Sequence, residues 1–384
     1  MRILHTADWH VGRTIRGRSR AGEHEAVLAE IVRIAEDEQA DLVLVAGDQF
    51  DTAAPGADAE RIVYRALLDL TRTGAEVVVV AGNHDNPHRL EAVAPLLATS
   101  GVRTAARLAR PAEGGVIDVT TRTGETARIA LLPFLSQRAI VRADDLMGLD
   151  ADEHAGRYDA RARKVIEQLC AGFDADTVNL VVSHLMVHGG TVGGGERAAH
   201  TVFDYAVAAS AFPPDASYVA LGHLHRPQRI PAGCPVWYPG SPLALDFGES
   251  EDTKAVLLVD AAPGAPARVR EVPLTAGRRL RTLRGTLDDL EARAGQTGDD
   301  YLRVIVRGPA RAGLAEQVRE WFPEAVDVAV DAPETEPAEQ RPARLGRSPV
   351  ELFAEYLEER RIDDPRLTTL FAALLEDALA PGQA

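Results

Sequence analysis

The sequence predicts an α/β protein. Two sheets pack as a sandwich with helices outside, followed by a small α/β unit and a C-terminal pair of helices. Three observations carry this reading. Short apolar runs rich in β-branched residues alternate with helix-period segments through the first hundred residues, the pattern of a parallel sheet buried on both faces. A second set of strands follows after residue 115 without that regular alternation, which supplies a second sheet. A Pro-rich stretch near residue 340 then separates two amphipathic helices from everything before it.

Residues 3–7 form the first strand and deliver Asp8-Trp9-His10, then a polar loop carrying Arg13, Arg16, Arg18 and Arg20. A helix starts near Glu23, with Leu28, Ile31, Val32 and Ala35 at i, i+3, i+4 and i+7. Asp41 to Ala46 is a second strand ending in Gly47-Asp48-Gln49-Phe50-Asp51, and a helix covers Asp58 to Thr73. Val77 to Val80, four β-branched residues in a row, is the third strand, and a helix near Arg89 to Ala98 follows. Three such β-α steps wind a right-handed parallel layer. Beyond residue 115, strands are expected at Ile117–Val119, Arg128–Leu132, Val178–Val182, Tyr218–Leu221, Pro235–Tyr238, Lys254–Asp260 and Arg268–Val272, with a helix over Ala160–Ala171. The loop after His184 is Gly-rich (Gly189, Gly190, Gly193, Gly194, Gly195).

Residues 276–331 read as a β-α-β-α-β unit, set off from a body spanning 1–275. It carries no ligand-type cluster, so it is either a lid that touches substrate or a packing support. Pro333, Pro337 and Pro342 fall in a linker over 332–347. In the segment 348–384, Ser348-Pro349-Val350-Glu351 is a capping box with Pro at the first helical position, and Asp364-Pro365 opens a last helix the same way. Leu367, Leu370, Phe371, Leu374, Leu375 and Ala378 form one stripe. Two short helices cannot bury such stripes alone. They dock on this chain's own body or on a partner.

The formal net charge of −16 argues against a surface that binds nucleic acid throughout. It leaves room for local binding through metals, an Arg cluster or a basic partner. Two cysteines are too few for a disulfide framework or a thiolate metal site. The first residues run straight into a strand without a signal-peptide pattern, and no apolar run reaches the ~20 residues of a membrane helix. A soluble cytoplasmic protein without membrane partners is expected.

The chemistry lies at strand ends. In open α/β sheets, reactive groups sit beyond the carboxyl ends of strands. Gly82-Asn83-His84-Asp85 follows the third strand and is either an active-site turn or an ordinary Gly-Asn turn. Four other strand ends carry similar residues: Asp8 with His10, Asp48 with Asp51, His184, and His223 with His225. Residues two apart in extended chain point to the same side, so Asp8 and His10 can grip one ion together. Asp8, His10, Asp48, Asn83, His184, His223 and His225 are seven donors, too many for one metal. Two ions with Asp48 shared use them all. Mixed N and O donors suit Mn, Fe or Zn. His188 competes with His184 for its role, while His5, His24, His88, His154 and His200 fall outside the pattern.

Asp8-x-His10, Gly47-Asp48-x-x-Asp51, Gly82-Asn83-His84-Asp85, His184 and Gly222-His223-x-His225 resemble the calcineurin-like metallophosphoesterase family. The stretches His5 to Arg13, Ala220 to His225 and Tyr238-Pro239-Gly240-Ser241-Pro242-Leu243 narrow the resemblance to its SbcCD-type nuclease subunits, over the whole chain. Ser183, where many relatives have Gly, is a departure that keeps the ligand. The resemblance implies a metallophosphoesterase sandwich with a DNA-contacting capping domain. It assigns one metal to Asp8, His10, Asp48 and His225, and the other to Asp48, Asn83, His184 and His223. His84 would face the scissile phosphate with Asp85 holding its ring, and Asp51 would assist nearby.

The resemblance also implies a manganese-dependent DNA phosphodiesterase, a 3′-to-5′ exonuclease on duplex ends and an endonuclease on single strands and hairpins. Its roles would be in DNA repair, replication and recombination. The partner would be an SbcC-type coiled-coil ATPase, reached through Phe353, Leu357, Leu370, Phe371 and Leu374, with a homodimer inside a heterotetramer. Arg13, Arg16, Arg18 and Arg20 are either DNA-backbone contacts or a solvated loop. The rivals are a phosphoesterase for nucleotides or phosphoproteins, and a non-catalytic scaffold of the same fold. The scaffold should have lost ligands, and none is missing here. The small-substrate rival has no need of the lid or the terminal helices.

Overall fold

A computed structural model describes residues 1–122, 124–136, 139–140, 158–194, 196, 206–331, 349–360, 362 and 364–379. The expected linker over 332–347, Gly195, His154, His200 and the Ser348 of the capping box lie outside the described residues.

The first hundred residues form β1 (Arg2–Thr6), a small ribbon of β2 (Thr14–Ile15) and β3 (Arg18–Ser19), α1 (Ala21–Asp37), β4 (Leu42–Ala46), α2 (Ala57–Arg72), β5 (Glu76–Val80) and α3 (Pro87–Ala98). The last helix starts earlier than its apolar pattern suggests. Asn86 caps it, accepting from the N–H groups of His88 and Arg89, and Pro87 takes the first helical position. A short strand the pattern did not reveal, β6 (Val102–Ala105), pairs with β5. The next group comprises β7 (Val116–Thr120), β8 (Thr126–Leu132), α4 (Tyr158–Cys170), β9 (Val178–His184), the short β10 (Met186–Val187) and β11 (Ala206–Val207), β12 (Tyr218–Gly222), β13 (Gln228–Ile230), β14 (Val236–Tyr238), β15 (Ala255–Asp260) and β16 (Arg268–Pro273).

Two six-stranded sheets result, ordered β16-β15-β1-β4-β5-β6 and β13-β14-β12-β9-β8-β7. In the first, β1, β4, β5 and β6 run parallel and β15 and β16 are antiparallel. In the second, β14, β12, β9 and β8 run parallel between antiparallel edges. Alternation decides which layer each side chain joins. Val78 and Val80 face the second sheet, meeting Ile129, Leu131, Leu180 and Val182. Val77 and Val79 face α1 and α2, among Leu28, Ile31, Val63 and Leu67. Burial of each such side chain contributes about 1.5–3 kcal/mol, and a polar residue at either position would break a layer. The far face of the second sheet packs on α4 through Val165, Ile166 and Leu169.

A third, wholly parallel sheet holds β17 (Leu280–Gly285), β18 (Tyr301–Arg307) and β19 (Ala325–Asp331), with α5 (Leu287–Glu291) and α6 (Leu314–Trp321) on one face. Ile15, Phe247, Leu280 and Tyr301 join it to the body. Two arginines of the β2–β3 ribbon reinforce the join: Arg16 pairs with Asp327 at 3.2 Å and Arg18 with Glu324 at 2.7 Å. Helices α7 (Pro349–Glu359) and α8 (Pro365–Leu379) pack together, with Phe353 stacked on Phe371 at 4.1 Å between ring centres. No helix among the described residues is long and apolar enough to cross a membrane. Cys170 and Cys234 are free and buried.

Candidate metal centre

The parallel strands of both sheets end at one edge, and the side chains just past those ends meet. After β1 and β4 the chain stays paired: Asp8 N–H donates to the Gly47 carbonyl and His10 N–H to that of Asp48, both at 3.0 Å. Asp8, His10, Asp48 and His223 have φ of 54°, 46°, 53° and 110°. Such left-handed backbone is rare away from glycine, and four cases in one place mark a strained site. Contact there is very close. A Cβ on Gly82 would overlap the Asp48 carboxylate, and one on Gly222 would overlap the Ala46 carbonyl oxygen. Those two motif glycines are required by sterics rather than by flexibility.

All seven expected donors come together and all are buried. On one side, His10 Nε2 and His225 Nε2 lie 3.1 Å apart, and with Asp8 they form a group whose donor atoms all lie within 4.8 Å. On the other, Asn83 Oδ1 sits 2.8 Å from His184 Nε2 and 2.9 Å from His223 Nδ1. Asp48 lies between, with Oδ2 3.6 Å from His10 Nε2 and 3.4 Å from His184 Nε2. His184, not His188, takes the strand-end place: it is fully buried and donates Nδ1–H to the Ala46 carbonyl at 2.8 Å, whereas His188 is exposed. Nitrogen and oxygen atoms crowded on one another in a dry site are costly without protons or a cation among them. This donor set fits divalent metal.

The electrostatics agree. Burial pushes the Asp8 carboxyl up to about 7, against the pull of His184 and His225. Burial would also raise Asp48, but His184, His84 and His10 beside it hold it well below the usual carboxylate range. Burial would lower His184, yet Asp48 and Asp8 raise it to about 9. His10 is driven down to about 4, chiefly by burial.

His84 stands at the edge of this group. Its Nε2 is 3.9 Å from Asp48 Oδ2, its ring is edge-on to His10, and it also lies within ligand reach of His10 and Asp48. Its ring is not held by Asp85, contrary to the expectation. Nδ1–H donates to the main-chain carbonyl of Asp51 at 2.7 Å. The Asp85 carboxylate points the other way and accepts the N–H groups of Phe50 and Gly82 at 3.1 and 2.8 Å. Asp85 therefore ties two turns together, because a carboxylate beside unpaired backbone N–H groups satisfies them first. Asp51 also approaches His10 Nδ1 at 3.4 Å and Arg13 at 3.3 Å.

The arginine loop is neither a free basic patch nor merely solvated. Arg20 is 1% exposed, its guanidinium bound to Glu23 and the Ala244 carbonyl, so it is structural and offers nothing to a polyanion. Arg16 and Arg18 are engaged with the third sheet, as described above. The expected partner surface also divides. Phe353 and Phe371 stack on each other and Leu357 is buried, whereas Leu370 and Leu374 are 54% and 56% exposed.

The sequence pattern did not reveal Glu249 and Lys254. Glu249 is fully buried, with Oε1 3.1 Å from His225 Nδ1 and Oε2 2.6 Å from Lys254 Nζ. In sequence they are two of five charged residues from Asp246 to Lys254, with nothing to single them out.

The calcineurin-like phosphoesterase family profile matches residues 1–227, and a type 5 capsule protein repressor C-terminal domain profile matches residues 276–361. The chain is 42% identical over 284 residues to the SbcD component of the SbcCD nuclease of Bacillus subtilis, covering 73% of this chain and 71% of that protein. It is 39% identical to the same component from Rhodobacter capsulatus, covering 71% and 69%, and 32% identical to that of Escherichia coli K12, covering 78% and 74%. With its donor set gathered at one sheet edge, the chain belongs to the calcineurin-like phosphoesterase family, in the branch of the SbcD components of SbcCD nucleases.

Proposed function

We propose that this protein is a metal-dependent DNA nuclease, a hydrolase that cuts phosphodiester bonds as the nuclease subunit of an SbcCD-type complex. One observation carries the reading: seven buried donors from five strand ends converge in two groups with Asp48 between them. Asp8, His10, Asp48 and His225 would hold one divalent ion, and Asp48, Asn83, His184 and His223 a second. The mixed imidazole, carboxylate and amide set favours Mn²⁺. When bound, two such ions supply a nucleophile from water at neutral pH and stabilise the charge gathering on phosphorus.

The chain's own groups do the rest. The Asp51 carbonyl accepts a hydrogen bond from His84 Nδ1–H, which leaves Nε2 facing the site. In its protonated form that nitrogen gives a proton to the departing sugar oxygen. Asp51 steadies His10 and His84 together, and Asp85 fixes the turn that carries His84. Arg13, a third exposed and beside Asp51, would contact a DNA phosphate.

The relatives' names support a role within a larger complex. The exposed Leu370 and Leu374 on α8 suit a coiled-coil ATPase of the SbcC type. Working as a homodimer within a heterotetramer, with 3′-to-5′ exonuclease and hairpin endonuclease action in the cytoplasm, completes the reading.

The test incubates purified protein, with and without Mn²⁺, on end-labelled duplex, single-stranded DNA and a simple phosphodiester. Metal-dependent shortening of DNA is expected. Turnover of the simple ester alone would overturn the nuclease reading.

A further inference from the structure

His225 is gripped from behind by residues that play no part in the chemistry proposed so far. Its Nδ1 lies 3.1 Å from Glu249 Oε1. Glu249 gives its other oxygen, Oε2, to Lys254 Nζ at 2.6 Å and to the Leu245 N–H at 3.1 Å. Lys254 Nζ also donates to the His225 carbonyl and to Ser241 Oγ, both at 3.0 Å. Ser241 N–H meets that same carbonyl at 3.1 Å. The Tyr238-to-Leu243 motif thus closes around one histidine, its ring held by Glu249 and its backbone by Ser241 and Lys254. All four residues are at least nine-tenths buried.

A carboxylate paired with a buried ammonium can only accept. Nδ1 of His225 must then carry the proton, and Nε2 is the nitrogen turned toward His10 and Asp8. We infer that Glu249 is a positioning residue that fixes the tautomer and aim of His225, so that Nε2 enters the metal centre as a lone-pair donor, with Lys254 keeping the carboxylate in place. This rests on the reading of His225 as a metal ligand. A plain buried ion pair would need only Lys254. The division of the two carboxylate oxygens, one to the ammonium and one to the ring, is what points to the histidine. Outer partners of this kind orient ligands and strengthen binding.

Two measurements on the full chain test it. In metal-free wild-type protein with ¹⁵N-labelled histidine, the His225 Nδ1 shift should be that of a protonated nitrogen; a bare Nδ1 overturns the inference whatever the variants do. The double variant Glu249→Leu with Lys254→Met removes the ion pair for apolar groups of similar size, an exchange that folds well in other proteins. In Mn²⁺ titration calorimetry, one of two affinities should fall about 10–100-fold while the other and the thermal midpoint of the metal-free protein hold. Both affinities unchanged in a folded variant would overturn the inference. Wild-type protein that binds two ions but cuts no DNA would sink the nuclease reading alone, leaving the nitrogen measurement to decide Glu249's part.

Discussion

The two six-stranded sheets share a plan, four neighbouring parallel strands extended by two antiparallel pairings, at one side of the first sheet and at both edges of the second, yet they arm their ends differently. The first sheet supplies every oxygen donor, Asp8, Asp48 and Asn83, with His10 the single imidazole among its assigned ligands. The second supplies imidazoles only: His184, His223 and His225. The second edge offers no oxygen and the first only one nitrogen. The site exists only once the sheets pack, and cross-sheet bonds fix the fit. His184 donates to the Ala46 carbonyl, and His223 N–H reaches both Asp8 oxygens at 3.0 Å. Gathering the donors and packing the sheets are therefore one event at two scales.

Removing the oxygen that both groups share should break this comparison hardest. Asp48→Asn is expected to lower metal content on both sides and cut cleavage by well over the ~100-fold typical of outer-shell changes; elemental analysis of the metal-to-protein ratio checks it, and an unchanged ratio removes Asp48 from the bridging place. Next comes a change that spares the donors. His84→Ala should keep both ions and lose about 10²–10⁴-fold in rate, the range for proton-transfer groups. Loss of metal with activity retained would make His84 a ligand instead.

The proton balance sharpens the comparison further. His184, raised to about 9, and Asp8, raised to about 7, hold protons in the metal-free chain that a cation must displace. Mn²⁺ affinity should therefore strengthen as pH climbs through 7 toward 9, with protons released on binding. Calorimetry in two buffers of different ionisation enthalpy measures that release, and a pH-independent affinity would contradict it. The smallest effect lies outside both sheets. Arg18→Ala breaks a pair that is about two-fifths exposed on the arginine side. After solvent screening it should cost about 0.5 kcal/mol or less, readable as a slight change in the denaturation midpoint.

Much of the site was legible because each donor follows a strand end in a short motif. The turn after Val80 announced Asn83 and His84, whereas the spacing of His223 and His225 left open one centre or two, and the two rings fall in different groups. Less legible was anything set by contacts between distant segments. Asp85 neighbours His84 in sequence, but its carboxylate serves Phe50, which lies thirty-five residues away. Arg20 looks like its three companions in the loop, and only the packing against Ala244 shows that it is buried. Glu249 stands twenty-four residues from the ring it holds. The helical stripe at the C-terminus pointed to apolar contact but could not say which residues face α7 and which face outward. That depends on the packing of Phe353 against Phe371.

The left-handed backbone at Asp8, His10, Asp48 and His223 has a further implication for anyone engineering this scaffold. Each such residue is disfavoured by about 1–3 kcal/mol relative to relaxed backbone. Screens that select for heat resistance alone will drift toward asparagine or glycine at these four positions, trading catalysis for robustness one substitution at a time. A library meant to retain turnover should hold all four constant and seek its gains on the outer helices.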